Sequence, residues 1–205
     1  MPNTLTYTLW DSPAGTLILG SAGQGLARLV LPTDSPDAAL EALKAEWDGD
    51  LTRDDEAHPQ AVAQLHEYFN GRRRTFDLEL DLQGTDFQLR VWTALAEIPF
   101  GKTRTYGQIA EHLDQPQAMR AVGGANHANP VPIIVPCHRV IGADGGLTGF
   151  GGGLPLKKAL LDWEQEVLRH EIPSLFDPPD LDLYWPGWRR RMAGVGGDTD
   201  APVPY

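Results

Sequence analysis

The chain has 205 residues, 41% of them hydrophobic, enough for one large domain or two small ones, and no apolar run nears the roughly 18 to 20 residues of a membrane span. Its single cysteine, Cys137, excludes an internal disulfide and a multi-cysteine zinc site, and no basic stretch followed by an apolar block opens the chain, so a cytoplasmic protein is expected. The net charge of −11 speaks against a generic nucleic-acid binder, yet it is uneven: residues 1–83 carry 6 basic and 14 acidic side chains, 84–170 carry 8 of each, and 171–205 carry 3 and 6.

The first 31 residues read as a β-meander. Leu5 to Trp10 alternates, Asp11 to Gly15 turns, Thr16 to Leu19 follows, and Gly23-Gln24-Gly25 turns again before Leu26 to Leu31. Helical spacing runs around residues 35–47 and 58–69, with Asn70-Gly71 as a C-terminal stop. Phe76 to Leu82 alternates strictly and predicts a strand with one buried face. Residues 1–83 thus form a small α+β unit with an antiparallel sheet.

From Thr85 the pattern changes to short helices. Thr85 and Gln88 make a capping box ahead of an apolar stripe of Phe87, Val91, Trp92 and Leu95. Thr105 caps a second helix over 106–113, Asp114-Gln115-Pro116 interrupts, and a third runs from about Gln117 to Ala128. That order fits a helix-turn-helix, and from spacing alone it fits an ordinary helical hairpin as well. Three prolines bar a helix over 129–136, which reads as a stiff extended segment delivering Cys137-His138-Arg139-Val140. Seven glycines from Gly142 to Gly153 make a loop that lets a ligand approach the backbone, without a P-loop or dinucleotide fingerprint. A last amphipathic helix starts near Pro155, and residues 171–205 are a tail of uncertain order.

A lone cysteine is usually an inert small hydrophobe. Cys137 departs from that picture because it follows a proline-stiffened segment, His138 beside it can serve as a base, and Glu164 can orient the histidine. A free thiol is only a few per cent ionised at neutral pH, and a Cys–His–Glu relay is the chemical remedy. Neighbours in a strand point to opposite faces, so cooperation requires a bend or a bridging water.

Ile134 to Val140, with Cys137-His138-Arg139 at its centre, resembles the active-site signature of the O6-alkylguanine-DNA alkyltransferases, or methylated-DNA–protein-cysteine methyltransferases. Arg120 to Ala125, Asn129 to Pro132, the Gly-rich loop and Lys157 to Glu164 follow in the family's order and spacing. Phe87 to Trp92, Ile98 to Gly101 and Thr105-Tyr106 fit as well. The resemblance is strong over 84–168 and mainly architectural over 1–83.

It implies a ribonuclease-H-like N-terminal α+β domain (1–83), a mostly helical DNA-binding domain with a helix-turn-helix (84–170), and the tail (171–205). It also implies direct-reversal repair, in which the alkyl group of O6-alkylguanine moves irreversibly to Cys137, once per chain; O4-alkylthymine stays open as a second lesion. Carried over, Cys137 is the acceptor, His138 the base through a water, Glu164 its orienter and Tyr106 a donor to the leaving base. Arg120 enters the base stack from the minor groove, and Ala118, Ala121, Gly123 and Gly124 allow close approach; close helix packing explains the glycines equally well. Asn129 is the hinge, and Pro132, Val140, Phe150 and Gly151 surround the alkyl group and the extruded base.

Two departures stand out. Phe150-Gly151 replaces the common Tyr-Ser, which removes a side-chain donor and leaves a roomier pocket, and Asp86 replaces a common proline. The expected partner is duplex DNA bound by a monomer, with neither cofactor nor metal. His58, His66, His112, His127 and His170 show no ligand spacing. Arg72 to Arg74 reads as a solvated run, and Trp185, Trp188 and Arg189 to Arg191 as a packed or disordered tail with the composition to touch nucleic acid. Competing readings are an alkyltransferase-like binder, which would lack Cys137; a helix-turn-helix regulator, which would carry a cysteine-rich zinc module; and a cysteine hydrolase, for which no oxyanion hole is visible.

Overall fold

Leu17-Ile18-Leu19 is apolar on both faces, and a strand of that kind is stable only when both faces are covered. The computed structural model, which describes residues 4–23, 25–32 and 35–170, covers them. Strands β1 (Leu5–Ser12), β2 (Gly15–Ser21) and β3 (Leu26–Val30) form the antiparallel meander, with Thr8 opposite Leu19 and Leu19 opposite Leu29. Leu17 and Leu19 enter the main core, while Ile18 packs on the opposite side with Leu43 of helix α1 (Pro36–Glu46). Ser35 caps α1 by accepting from Ala38 N.

The sheet has a fourth strand that the alternation did not announce. Strand β4 (Leu51–Arg53) pairs parallel to β1, Leu5 opposite Leu51, so the order is β3-β2-β1-β4 and the sheet is mixed rather than purely antiparallel. The strand expected over 76–82 does not form. Residues 79–81 make an isolated bridge to β3 at Leu26, whose N–H donates to Glu79 O and whose carbonyl accepts from Asp81 N. The Gln64 side chain takes the place of a ladder at Asp77, accepting from its N at 2.8 Å and donating to its O at 2.7 Å. The alternation still has its physical meaning, because Phe76, Leu78, Leu80 and Leu82 pack against the main core. Gly25 is required at the bridge, since a Cβ there would lie 2.8 Å from Asp81 N.

Helix α2 (Pro59–Phe69) buries Ala61, Gln64, Leu65 and Tyr68, one helical face, and ends at Asn70 with Gly71 at φ +70°. Helix α3 (Asp86–Ala96) has the expected Thr85–Gln88 capping box, with Asp86 in its first turn. Short strand β5 (Arg104–Thr105) leads into α4 (Tyr106–His112), capped by Thr105 with Gln108. A turn through Asp114 (φ +57°) and a 3₁₀ turn, Pro116–Ala118, precede α5 (Met119–His127). The indole of Trp92 donates to Ala125 O and Arg90 to Leu113 O, tying α3 to both helices.

Strand β6 (Val140–Ile141) pairs parallel to β5, which brings Tyr106 beside the segment that carries Cys137. Helix α6 (Gly153–Arg169) closes the described chain. The main core draws Leu65, Tyr68 and Phe69 from the N-terminal part together with Trp92, Val131, Cys137, Leu160 and Trp163 from the rest, so one apolar interior spans both. Among the described residues no helix is long and apolar enough to cross a membrane. The sequence readings for Gln24 and for residues 171–205, including Trp185, Trp188 and Arg189 to Arg191, lie outside the described residues.

Candidate active site

The segment ahead of Cys137 is not extended as its prolines suggested. It folds into a tight turn closed by Val135 N donating to Val131 O, with Ile133 buried at φ +73°. A β-branched residue in the left-handed region is strained, so the surroundings must hold it there. Asn129 does so: its Nδ2 donates to Val135 O at 2.7 Å and its Oδ1 accepts from Val131 N at 3.1 Å. The asparagine ties two backbone stretches together. The prolines shape the turn rather than straighten the chain.

Cys137 opens a 3₁₀ turn, Cys137–Arg139, and this supplies the bend that a strand would have denied. The thiol is buried, and burial pushes it up to about 11, against the Asn129 hydrogen bond and the Lys157 charge. His138 is fully buried, with Nε2 2.9 Å from Glu164 Oε1 and Nδ1 without a partner among the described residues. Burial lowers its pKa, opposed by Glu164. Neutral His138 therefore donates from Nε2 and leaves Nδ1 as an acceptor.

Glu164 collects more donors than one histidine. Tyr68 Oη donates to Oε1 at 2.9 Å, Gly101 N to Oε2 at 2.8 Å, and Arg139 Nη2 to Oε1 at 2.8 Å. Burial alone would raise the carboxyl, but His138 and Arg139 hold it down to about 2. Arg139 is itself buried and also donates to Ile98 O at 2.6 Å. Lys157, equally buried, donates to Val140 O at 2.6 Å and to Thr148 O at 2.7 Å, pinning β6 and the Gly-rich loop to α6. Sequence reasoning assigned no such roles to Arg139, Tyr68, Gly101 or Lys157. A buried arginine next to the Cys-His pair signals a carboxylate partner, whereas nothing in the sequence links Tyr68 to a residue 96 positions away.

Other expected site residues fall into two groups. The Tyr106 hydroxyl lies 3.4 Å from Thr148 Oγ1, and the Phe150 ring meets the His138 ring edge-on at 6.4 Å. Val140 and Pro132 are buried. Pro132 and Gly151 line a cleft of about 570 Å³ with Asn129, Trp92 and Arg28, while Val140 and Phe150 are not among its lining residues. On α5, Arg120, Ala121 and Gly124 are exposed and Gly123 partly so, as is Ala118 at the end of the preceding 3₁₀ turn. A Cβ at Gly124 would meet nothing within 4 Å and one at Gly123 only the Tyr106 ring at 3.9 Å, so close helix packing does not explain these glycines. The small residues leave an open, closely approachable face beside Arg120.

Of the remaining basic residues, Arg73 is bound to Glu67 at 2.6 Å on its own surface. Among the described residues no group of three or more His, Cys, Asp and Glu side chains is placed to hold a metal ion.

The arrangement matches known proteins along nearly its whole described length. The family model described as "6-O-methylguanine DNA methyltransferase, ribonuclease-like domain" matches residues 5–82, and that described as "6-O-methylguanine DNA methyltransferase, DNA binding domain" matches residues 86–166. The methylated-DNA–protein-cysteine methyltransferase of Mycobacterium bovis is 48% identical over 171 residues, 83% of this chain and 98% of that one. Its counterpart in Mycobacterium leprae is 48% identical over 167 residues, 82% and 96% of the two chains. The crystal structure of Mycobacterium tuberculosis OGT in complex with DNA superposes with a TM-score of 0.69 at 48% identity, covering 79% of this chain and 94% of that one. With both parts matched in order and nearly half the residues identical, the chain belongs to the 6-O-methylguanine DNA methyltransferase family.

Proposed function

We propose that this protein repairs O6-alkylguanine in duplex DNA by moving the alkyl group to Cys137 Sγ, irreversibly and once per chain. The observation that carries the reading is the buried Cys137, His138 and Glu164 set within a chain of this family. A thiol near 11 has too little thiolate at neutral pH to attack unaided, a deficit of about 5 kcal/mol. His138 Nδ1, unpartnered among the described residues, takes the proton through a bridging water, and Glu164 stabilises the imidazolium. The Sγ–carbon bond forms as the carbon–O6 bond breaks, and the electron pair leaves with guanine. Tyr106 donates to the departing base. The thioether has no hydrolytic exit, which makes the protein its own consumed reagent.

The lesion carbon lies inside the duplex, so the nucleotide must leave the stack at a cost of a few kcal/mol. The exposed face formed by Ala118 and, on α5, Ala121, Gly123 and Gly124 approaches the minor groove, and Arg120 fills the vacated stack. Pro132, Val140, Phe150 and Gly151 surround the extruded base and its alkyl group, and Asn129 holds the turn that presents the thiol. Residues 84–170 do the binding and chemistry and residues 1–83 brace them, in a monomer working in the cytoplasm. Incubation with a duplex containing O6-methylguanine, followed by mass spectrometry of the Cys137 peptide, tests this. A single stoichiometric methyl increment, absent from Cys137→Ala, is expected; unmodified Cys137 with the lesion intact overturns the reading.

A further inference from the structure

We propose that Tyr68 is a positioning residue of this relay, a phenol from the N-terminal part that sets the proton affinity of His138 through Glu164. The inference rests on the reading of Cys137, His138 and Glu164 above. Tyr68 is fully buried, and its ring is held by Phe69, Phe76 and Phe100 at centroid distances of 5.3, 5.6 and 5.9 Å. A phenylalanine would fill that space equally well. The hydroxyl has one described partner, Glu164 Oε1 at 2.9 Å, the same oxygen that receives His138 Nε2 at 2.9 Å.

Arg139 and Gly101 already fix the carboxylate, so the phenol is not needed to hold it in place. What the phenol adds is electrostatic. Its hydrogen sits on the oxygen that faces His138 and draws charge away from it, so the imidazolium gains less from Glu164. Arg139 on the histidine's own turn, Lys157 on α6 and the Cys137 thiol are the other titratable or charged groups around the ring, and both cations act in the same sense. Tyr68 thereby adds to the burial that keeps His138 neutral and able to accept the thiol proton.

The test is the pH dependence of single-turnover methyl transfer from an O6-methylguanine duplex, in the full chain. Removal of the donor in Tyr68→Phe is expected to move the acidic limb upward by about one pH unit. Replacing Tyr68 by 3-fluorotyrosine, a stronger donor of nearly the same shape, is expected to move it downward. The fluorinated chain also decides the matter if Tyr68→Phe fails to fold. Limbs that superimpose on the native one, or a rate loss uniform across pH, overturn the inference and leave Tyr68 a packing residue. A native protein that leaves the lesion intact overturns the functional reading instead.

Discussion

Glu164→Gln separates the structural work of the carboxylate from its chemical work. Glu164 is fully buried and accepts from Tyr68, Gly101, His138 and Arg139. A glutamine offers one acceptor oxygen and turns an NH₂ toward groups that are themselves donors, while the Arg139 guanidinium loses its counter-charge. Removing one member of a buried ion pair costs about 3–5 kcal/mol. The depression of Glu164 from 4.5 to about 2 corresponds to about 3 kcal/mol by linkage, which agrees. The sign is set by the lowered folded value. The stabilisation is present above the unfolded carboxyl pKa of 4.5 and is lost as pH falls from there through about 2. Denaturant unfolding at pH 7 should therefore show Glu164→Gln destabilised by about 3–5 kcal/mol, with methyl transfer reduced by orders of magnitude in the fraction that remains folded. Between pH 5 and 3 the native protein should lose stability more steeply than the variant. A variant within about 0.5 kcal/mol of native at pH 7, or parallel acid profiles, would refute the reasoning.

Three further outcomes follow from single contacts. Lys157→Met leaves the buried Val140 carbonyl unpaired, so stability should fall by about 1–3 kcal/mol. Ultraviolet titration should then show the Cys137 thiolate forming at higher pH, because the nearby cation that favours it is gone. Gly101→Ala places a Cβ 2.2 Å from Leu168 Cδ1 at φ +68°, on the residue whose N–H binds Glu164; thermal unfolding should show a loss of roughly 2–3 kcal/mol. Gly151→Ser adds a side chain where a Cβ meets nothing within 4 Å, so stability should hold. Single-turnover rates should then show benzyl transfer slowed relative to methyl, and an unchanged ratio would remove the case that Gly151 enlarges the pocket.

Much of this protein is local and therefore legible in one dimension. The meander of β1 to β3, the capping box at Thr85, the N-cap at Thr105, the stop at Gly71 and the helix–turn–helix order of α4 and α5 depend on neighbours within a few residues. The motif around Cys137-His138, with Glu164 at its expected distance along the chain, carried the family and the chemistry before any geometry was known. What stayed hidden depends on partners far apart in the chain. The alternation of 76–82 predicted which side chains turn inward but not that Gln64 would replace a ladder partner. The prolines of 129–136 excluded a helix but did not reveal the strained turn at Ile133, which exists because Asn129 closes it. Whether the glycines of α5 serve packing or an open face was undecidable until their surroundings were known. The charge state of the relay was out of reach for the same reason. Burial raises the Cys137 thiol and lowers His138, while donors from α2, the loop before β5 and the Cys137–Arg139 turn converge on Glu164 of α6, and only the tertiary structure removes water and brings them together.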